Sequence, residues 1–205
     1  MRTLVIDSAT ESCSVALIDD GVFVAGECVI LGRGHAERLV PMIANLPDKG
    51  SADVIAVDIG PGSFTGIRVG LAAARALAMA WGAKLQGYES LALVAAMAQA
   101  EHPGMAVDVC MTGGHGEWFV QPFAPDGSAI AAVASVTPED AVLRCVAPVV
   151  AGSQAASVAL SRPDAIVLDL RPDARRFALL EAATLHDDPR PSYGRAPDAR
   201  LPATA

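Results

Sequence analysis

The residues with the clearest capacity for chemistry form one glycine- and hydroxyl-rich stretch, Asp58-Ile59-Gly60-Pro61-Gly62-Ser63-Phe64-Thr65-Gly66-Ile67-Arg68. The apolar run Val54–Val57 before it predicts a buried strand, and the apolar-rich residues after it predict a helix that ends near Trp81. A turn of this kind points free backbone N–H groups and the positive end of a helix dipole at one place, which suits an anion. The competing interpretation is that the glycines only permit a tight turn that packs the helix against a sheet.

The spacing of this stretch differs from both common phosphate-binding motifs. A P-loop needs lysine after its last glycine, whereas Gly66 is followed by Ile67, and the dinucleotide spacing G-x-G-x-x-G does not occur here. A second hydroxyl-rich turn, Ser8 to Ser12, follows an apolar strand that ends at Asp7. Its side chains either grip a phosphate or satisfy the backbone of their own turn.

Hydrolase chemistry has little support in the sequence. The four histidines (35, 102, 115 and 186) include no pair at the helical spacing of zinc ligands, so we expect no metal site. Ser63 does not lie in a G-x-S-x-G motif, and we interpret Ser63 and Thr65 as loop and N-cap hydroxyls. The four cysteines form no C-x-x-C motif, and reduced, buried thiols are the simplest account of them.

Composition limits the classes of partner. The chain has 205 residues, a formal net charge of −8 and 52% hydrophobic residues, so we expect a real core and a surface that does not attract RNA by itself. Tryptophan, tyrosine and phenylalanine are few, which argues against a stacking platform for single-stranded nucleic acid. No apolar run reaches the roughly 18 residues of a membrane span. We therefore expect a cytoplasmic protein without a membrane partner.

Hydrophobic patterning predicts an alternation of strands and helices. Three strands, with the hairpin turn Asp19-Asp20-Gly21 after the second, are followed by a helix over 35–45 that Pro41 is expected to end or kink. Ser90 is predicted to cap a helix over 91–100, and the breaker His102-Pro103-Gly104 follows it. Further strands and helices are predicted beyond it, among them a strand over 130–136, a helix start at Thr137-Pro138 and a helix from Pro172 to Leu185. Each half thus opens with three strands, as a duplicated α/β unit would.

The stretch G-P-G-S-F-T-G-I-R-V-G strongly resembles the signature of the TsaB (YeaZ) family, accessory proteins of bacterial tRNA threonylcarbamoyladenosine synthesis. Three other segments resemble the same family: residues 4–17, His35-Ala36-Glu37-Arg38-Leu39-Val40-Pro41, and the tail 191–199. The resemblance covers about the first half and the last stretch, and the middle of the second half fits poorly. In the loop Met111 to Gly116 the family's usual acidic residue and arginines are missing.

The resemblance implies an α/β, two-lobed actin-like ATPase fold (ASKHA, ribonuclease H-like), with mixed sheets flanked by helices and a smaller second lobe. We place the lobes at 1–102 and 103–205. It also implies a non-catalytic subunit that binds and activates a TsaD-like enzyme, which transfers a threonylcarbamoyl group to adenosine 37 of tRNAs reading codons that begin with A. A TsaE-like ATPase would be a further partner, tRNA would be reached only through the complex, and the chain alone could form a homodimer.

Three sets of residues follow from this resemblance. Partner-binding residues are expected on the two helices of the first lobe: His35, Arg38, Leu39, Met42, Arg68, Leu71, Ala73, Ala74 and Leu77. The Gly-rich loop is formed by Gly60, Pro61, Gly62, Ser63, Phe64, Thr65 and Gly66. A vestigial phosphate site is formed by Asp7, Ser8 and Thr10. We expect no cofactor on this chain alone, and the resemblance leaves room for ATP or ADP at the level of the complex.

Two other functions stay open from the sequence. One is a weak ATPase or hydrolase that uses Asp7, Ser63 or Thr65. The other is a homodimeric scaffold that pairs through the same apolar helix.

Overall fold

Two five-stranded mixed sheets form the framework of the protein, whose computed structural model describes residues 1–194. The first sheet has the order β3-β2-β1-β4-β5. The strands β1 to β3 are antiparallel neighbours, whereas β4 and β5 continue the sheet parallel to β1. These five strands are β1 Arg2–Asp7, β2 Ser12–Asp19, β3 Val22–Ile30, β4 Val54–Asp58 and β5 Lys84–Tyr88.

Helices α1 and α2 pack on one face of this sheet. α1 is His35–Ala44 and α2 is Phe64–Trp81, with a short 3-10 helix at Pro47–Gly50 between α1 and β4. Inward-facing side chains such as Leu4, Ile6 and Val15 pack in one core with the buried sides of both helices. Strand alternation explains this arrangement, since every second residue of a strand points to the same face.

The second sheet repeats the strand order of the first. Its order is β8-β7-β6-β9-β10, so its first three strands are antiparallel neighbours and its last two are parallel to β6. The predicted duplication of an α/β unit is therefore confirmed by topology. These elements are β6 Val107–Thr112, β7 Trp118–Phe123, β8 Ala134–Val136, α4 Pro138–Arg144, β9 Val149–Ala151, α5 Ala155–Ala159 and β10 Ile166–Leu168.

Helix α3, Ser90–Glu101, contributes to the cores of both sheets. Its residues Leu91, Val94 and Ala98 pack with the second sheet, whereas Leu93 and Met97 pack with the outer face of the first. A helix that is apolar on most sides must be covered on most sides, and α3 meets this requirement inside the chain. The boundary at residue 102 stays a prediction.

Four local predictions are corrected by the structure, two of them at predicted helix boundaries. Pro41 does not end α1, which runs on to Ala44. Its missing N–H leaves the carbonyl of Glu37 without a helical partner, and both residues are exposed, so water can satisfy that oxygen. Ser90 does not cap α3, because the helix begins at Ser90 itself and its hydroxyl donates to Asp58.

The other two corrections concern the second half. The strand predicted over 130–136 is confined to β8, Ala134–Val136, because Pro122 in the neighbouring strand β7 has no N–H to extend the ladder. The helix predicted from Pro172 to Leu185 is replaced by two 3-10 helices, Ala174–Leu179 and Ala182–Thr184. The apolar residues Ala174, Phe177 and Leu180 recur every three positions, which matches three residues per turn.

No helix within residues 1–194 has both the length and the apolar character needed to cross a bilayer.

The close approach of α2 to the β1–β2 turn gives a test of the fold. In Gly66→Ala the added Cβ would lie 2.0 Å from the backbone oxygen of Ser8, so the helix must move away from the sheet. We expect the free energy of unfolding, measured with urea, to fall by about 2 kcal/mol or more, although alanine favours a helix by about 1 kcal/mol.

Gly82→Ala is the matched control. Gly82 has a φ of +66° and no atom within 4 Å of the added Cβ, so only backbone strain of about 1 kcal/mol is expected. A Gly66→Ala protein as stable as the wild type would contradict this account of the packing.

Candidate functional site

The Gly-rich loop lies directly on the turn between β1 and β2. The N–H of Ser63 donates to the carbonyl of Ala9 at 2.6 Å, and a Cβ on Gly62 would lie 2.0 Å from that same oxygen. Gly70, one helical turn after Gly66 in α2, faces the hydroxyl of Ser8. Of the two interpretations of the glycines, the packing of helix against sheet is the one that this geometry supports.

Hydroxyl groups of the β1–β2 turn and of the Gly-rich loop form hydrogen bonds with nearby backbone groups. Ser8 Oγ donates to the carbonyl of Gly66 at 2.9 Å, and Thr10 Oγ1 accepts from the N–H of Ser12 at 3.2 Å. Ser63 Oγ accepts from the N–H of Gly66, so Ser63 is the N-cap of α2 as predicted, whereas Thr65 lies inside the helix and is exposed. The three residues of the proposed vestigial phosphate site are buried beneath the loop.

A pair of buried carboxyl groups joins the loop to the sheet. Asp7 and Asp58 end the neighbouring parallel strands β1 and β4, and their buried side chains interact electrostatically. The hydroxyl of Tyr88 lies 3.2 Å from Asp7 Oδ2 and also from the carbonyl of Ile6. Ser90 Oγ donates to both oxygens of Asp58, and the N–H of Gly60 donates to Asp58 Oδ1 at 2.7 Å.

Burial governs the protonation of this pair. Loss of hydration raises the pKa of Asp58 to about 6, even though its interactions with Asp7, Gly60 and Ser90 act in the opposite direction. The pKa of Asp7 is raised well above its ordinary range. Burial is the larger cause, and repulsion by the Asp58 charge is the second. Two neighbouring buried carboxylates cannot both ionise at low cost, so ionisation of Asp58 opposes that of Asp7.

The predicted partner-binding residues divide into a buried set and an exposed set. His35 is buried against the carbonyl of Ser12, and Leu39, Met42, Leu71 and Ala74 form part of the core, so these five side chains offer no surface to a partner. Ala73 and Leu77 are partly buried against the same core. Arg38 is exposed and paired with Glu27 of β3, and Arg68 is exposed on α2.

One side of α2 is left uncovered by the chain. Arg68, Ala72, Ala76 and Met79 recur at helical spacing, are all exposed, and are called the α2 stripe below. Met79, at 88% exposure, adds a large apolar side chain to this side of the helix. On the neighbouring helix α1, Val40 is also exposed. Sequence patterning alone did not separate this side of α2 from the buried one, because alanine occurs on both.

A strap formed by residues 185–194 crosses the Gly-rich loop. It pairs with the edge of β5 through two hydrogen bonds between His186 and Gly87, and the N–H of Ser192 donates to the carbonyl of Ile59 at 2.8 Å. Gly194 at its end lies against Pro61 and Phe119, so the strap reaches the second sheet. The tail segment predicted from the resemblance runs to Ala199, and its residues from 195 onwards lie outside the described residues.

In the second half, Thr112 at the end of β6 contacts two residues of the segment between β9 and α5. Thr112 accepts a hydrogen bond from Gln154 and lies 3.1 Å from the hydroxyl of Ser153. Within residues 1–194 there is no group of three or more histidine, cysteine, aspartate or glutamate side chains placed to hold a metal ion.

Comparison with known proteins places this geometry in a family. The model of the tRNA N6-adenosine threonylcarbamoyltransferase (TsaD) family matches residues 29–149, more than half of the chain. The tRNA threonylcarbamoyladenosine biosynthesis protein TsaB of Escherichia coli is 36% identical over 123 residues, which are 58% of this chain and 45% of that protein. YeaZ from Pseudomonas aeruginosa superposes with a TM-score of 0.77 at 27% identity, over 94% of this chain and 99% of that one. The chain belongs to the TsaB (YeaZ) family.

Membership of the TsaB family is consistent with the two-lobed architecture. The ethanolamine utilization protein EutJ from Carboxydothermus hydrogenoformans shares the fold at 13% identity, with a TM-score of 0.52 over 88% of this chain and 90% of that one. The predicted fold class is thereby confirmed. The chain spans about half the length of the curated relatives that it matches.

Asp7, Asp58, Tyr88 and Ser90 form one buried cluster. The sequence analysis of this TsaB-family chain missed three of them as site residues: Asp58, Tyr88 and Ser90. A signal was present for the first of them, because two predicted strands, β1 and β4, are each followed or ended by aspartate. The structure shows that these strands are parallel neighbours, and the carboxyl ends of parallel strands meet at one edge of a sheet. No comparable signal pointed to Tyr88 or Ser90, which reach the pair through the strand order alone.

The buried pair predicts a pH dependence of stability. The pKa of Asp58 is raised above its unfolded value near 4, so its contribution to stability is complete below pH 4 and is lost as the pH rises through about 6. Asp58→Asn removes the carboxyl group that ionises and keeps an amide that can donate to an oxygen of Asp7. We expect this variant to be more stable than the wild type at pH 7 by on the order of 2–3 kcal/mol, and the difference to vanish near pH 4.

Urea unfolding of both proteins between pH 4 and pH 8 measures this difference. Asp164→Asn, at a side chain that is 80% exposed, is the control and should follow the wild-type curve. A parallel pair of curves for the wild type and Asp58→Asn would show that the two carboxyl groups are not coupled as described.

Proposed function

We propose that this chain is an accessory subunit of tRNA threonylcarbamoyladenosine biosynthesis, which binds and activates a TsaD-like enzyme. The support comes from its family, since the E. coli relative is a protein of that pathway and the matching family model is that of the transferring enzyme. Transfer of the threonylcarbamoyl group to adenosine 37, in tRNAs reading codons that begin with A, is assigned to the enzyme partner.

The uncovered α2 stripe is the observation that carries this proposal. α2 is 18 residues long and contains no acidic residue, and its exposed side carries small alanines, Arg68, Arg75 and the largely exposed Met79. Small side chains let a second helix approach closely, and a flexible methionine can fill the gaps between two packed helices. Such a surface suits a partner helix better than it suits a small substrate or a nucleic acid.

The partners follow from the same surface and from charge. A TsaD-like catalytic subunit docks on the α2 stripe, with Val40 of α1 at its border, and a homodimer through the same stripe is its competitor when the chain is alone. A TsaE-like ATPase is a further partner of the complex. The net charge of −8 assigns tRNA contact to the complex and not to this chain. We assign ATP or ADP to the complex as well, and the place of action to the cytoplasm.

Independent catalysis is the weaker alternative. An ATPase or hydrolase would use Asp7, Ser63 or Thr65. Asp7 is buried in the carboxyl pair and the hydroxyl of Ser63 caps α2, so both groups already have structural roles. We therefore assign no reaction to this chain alone.

Size-exclusion chromatography with light scattering tests the proposal. The chain is run alone and mixed with the TsaD homologue from the same source, without nucleotide and with ATP. A one-to-one complex that replaces any homodimer supports the accessory role. Two unaltered peaks under both conditions overturn it, and turnover of ATP by the purified chain would favour the enzyme alternative.

Substitutions in the α2 stripe test where the partner docks. Ala72→Arg and Ala76→Arg place a long cation on the exposed side of α2 without entering the core, whereas arginine at the partly buried Ala73 or Leu77 would disturb folding. We expect each stripe variant to weaken the complex by about 100-fold, or about 3 kcal/mol, at unchanged thermal stability.

Ala156→Arg is the matched control, because Ala156 is an exposed alanine of a helix, α5, in the second half. It should bind like the wild type when affinities are measured by titration calorimetry. If the stripe variants and the control bind alike, the enzyme docks elsewhere.

A further inference from the structure

Arg68 is held in place by two aromatic rings at the start of the α2 stripe. Its guanidinium carbon lies 3.6 Å from the centroid of the Phe64 ring and 5.8 Å from that of Tyr193. The two ring centroids are 4.8 Å apart, and Arg68 Nε donates to the hydroxyl of Tyr193 at 3.1 Å. Cation–π attraction and one hydrogen bond thus fix a side chain that would otherwise lose much rotamer entropy on binding.

The remaining donors of this guanidinium have no hydrogen-bond partner within residues 1–194. Arginine has five N–H groups, and only the one on Nε has a hydrogen-bond partner among the described residues. Arg68 forms no ion pair with any residue in 1–194, and α2 itself contains no acid that could neutralise it. The two terminal NH₂ groups therefore form a fixed, positively charged fork at the protein surface.

The strap supplies the residue that orients this fork. Tyr193 follows Ser192, whose N–H is bound to the carbonyl of Ile59, and the strap is anchored again at Gly87 through His186. The ring of Tyr193 stacks on Phe64, which is itself 52% exposed at the first position of α2. Tyr193 is therefore a positioning residue for Arg68, brought from the far end of the described chain.

The residues around Arg68 indicate which kind of anion its guanidinium would bind. Beyond Arg68 the stripe continues with the uncharged, apolar Ala72, Ala76 and Met79. The next cation on this side of α2 is Arg75, whose guanidinium donates to the carbonyl of Pro189 at 3.0 Å. A polyanion such as RNA needs several cations along its path, and the chain as a whole is acidic. A single carboxylate within an apolar surface fits both the charge and the planar, bidentate geometry of a guanidinium.

We propose that Arg68, preorganised by Phe64 and Tyr193, binds an aspartate or glutamate side chain of the protein that docks on the α2 stripe. This inference rests on the proposed function, because it specifies the polar contact within that interface. The ion pair would be shielded from water on docking by the apolar part of the stripe. It would fix the register of the partner helix along α2, because the two helices can form this one ion pair in only one relative position.

Affinity measurements with the TsaD homologue from the same source test the proposal. Titration calorimetry, first without nucleotide and then with ATP or ADP, compares the wild type with Arg68→Gln, Arg68→Lys and Tyr193→Phe. We expect a loss of about 30-fold or more for Arg68→Gln, because the carboxylate would be left unpaired, and about tenfold for Arg68→Lys, which keeps the charge but not the fork. Tyr193→Phe keeps the ring and loses the hydroxyl, and should cost a few-fold.

The controls separate a specific ion pair from a structural effect. Arg176→Gln, at an exposed arginine of the 3-10 helix Ala174–Leu179, should bind like the wild type, and all variants should unfold at the wild-type temperature. The affinity of the wild type should fall more steeply with salt than that of Arg68→Gln. Arg68→Glu should lose binding, and one acid-to-lysine substitution in the docking helix of the enzyme should restore it.

Four outcomes decide the matter. Loss with Arg68→Gln, a shallower salt dependence and rescue of Arg68→Glu support the ion pair. Binding of Arg68→Gln within twofold of the wild type overturns it and leaves the proposed function standing. A loss that occurs only with ATP or ADP present assigns Arg68 to a nucleotide phosphate and also overturns it. Absence of any complex with the wild type overturns the proposed function itself.

Discussion

The contact that the rest of the structure depends on is the backbone-to-backbone approach of α2 to the β1–β2 turn. Three glycines make it, because a Cβ on Gly62, Gly66 or Gly70 would overlap Ala9 or Ser8. The helix therefore lies as close to the sheet as a backbone allows, and its large residues Ile67 and Leu71 enter the core directly. A close-packed interior transmits such a constraint, so the position of α2 also decides which of its sides is left uncovered.

The buried carboxyl pair and the strap both act on this same junction. Asp58 accepts hydrogen bonds from the N–H of Gly60 and the hydroxyl of Ser90. The protonation of the pair therefore affects the conformation of the Gly-rich loop. The strap closes the loop from above through Ile59. Between them they keep the start of α2 in one conformation, and that conformation presents Arg68 and Phe64 together at the surface. Preorganisation of this kind reduces the ordering cost that a docking surface would otherwise add on binding.

The sequence predicted most of the fold because its signals are local. The hairpin turn Asp19-Asp20-Gly21, the cap Thr137-Pro138 and the glycine loop each act within a few residues, and all are present in the structure. The buried cluster escaped prediction because its members meet across 32 to 81 positions of the chain. The division of α2 into core and surface escaped it for another reason, since a helix rich in alanine has little contrast between its sides. The 3-10 helix after Asp173 was mistaken for an α-helix because three- and four-residue periods are alike over so short a span.

The two sheets share one strand order, yet the helices that follow the fourth strand of each differ greatly in length. α2 has 18 residues, whereas its counterpart α5 has five. An internally duplicated molecule with two equal helices would present the same surface twice and could join copies or partners into open chains. If α2 is the docking helix that we propose, the shortness of α5 leaves the molecule monovalent through this surface. Assembly through α2 would then end at a pair, and any larger particle would need a different surface.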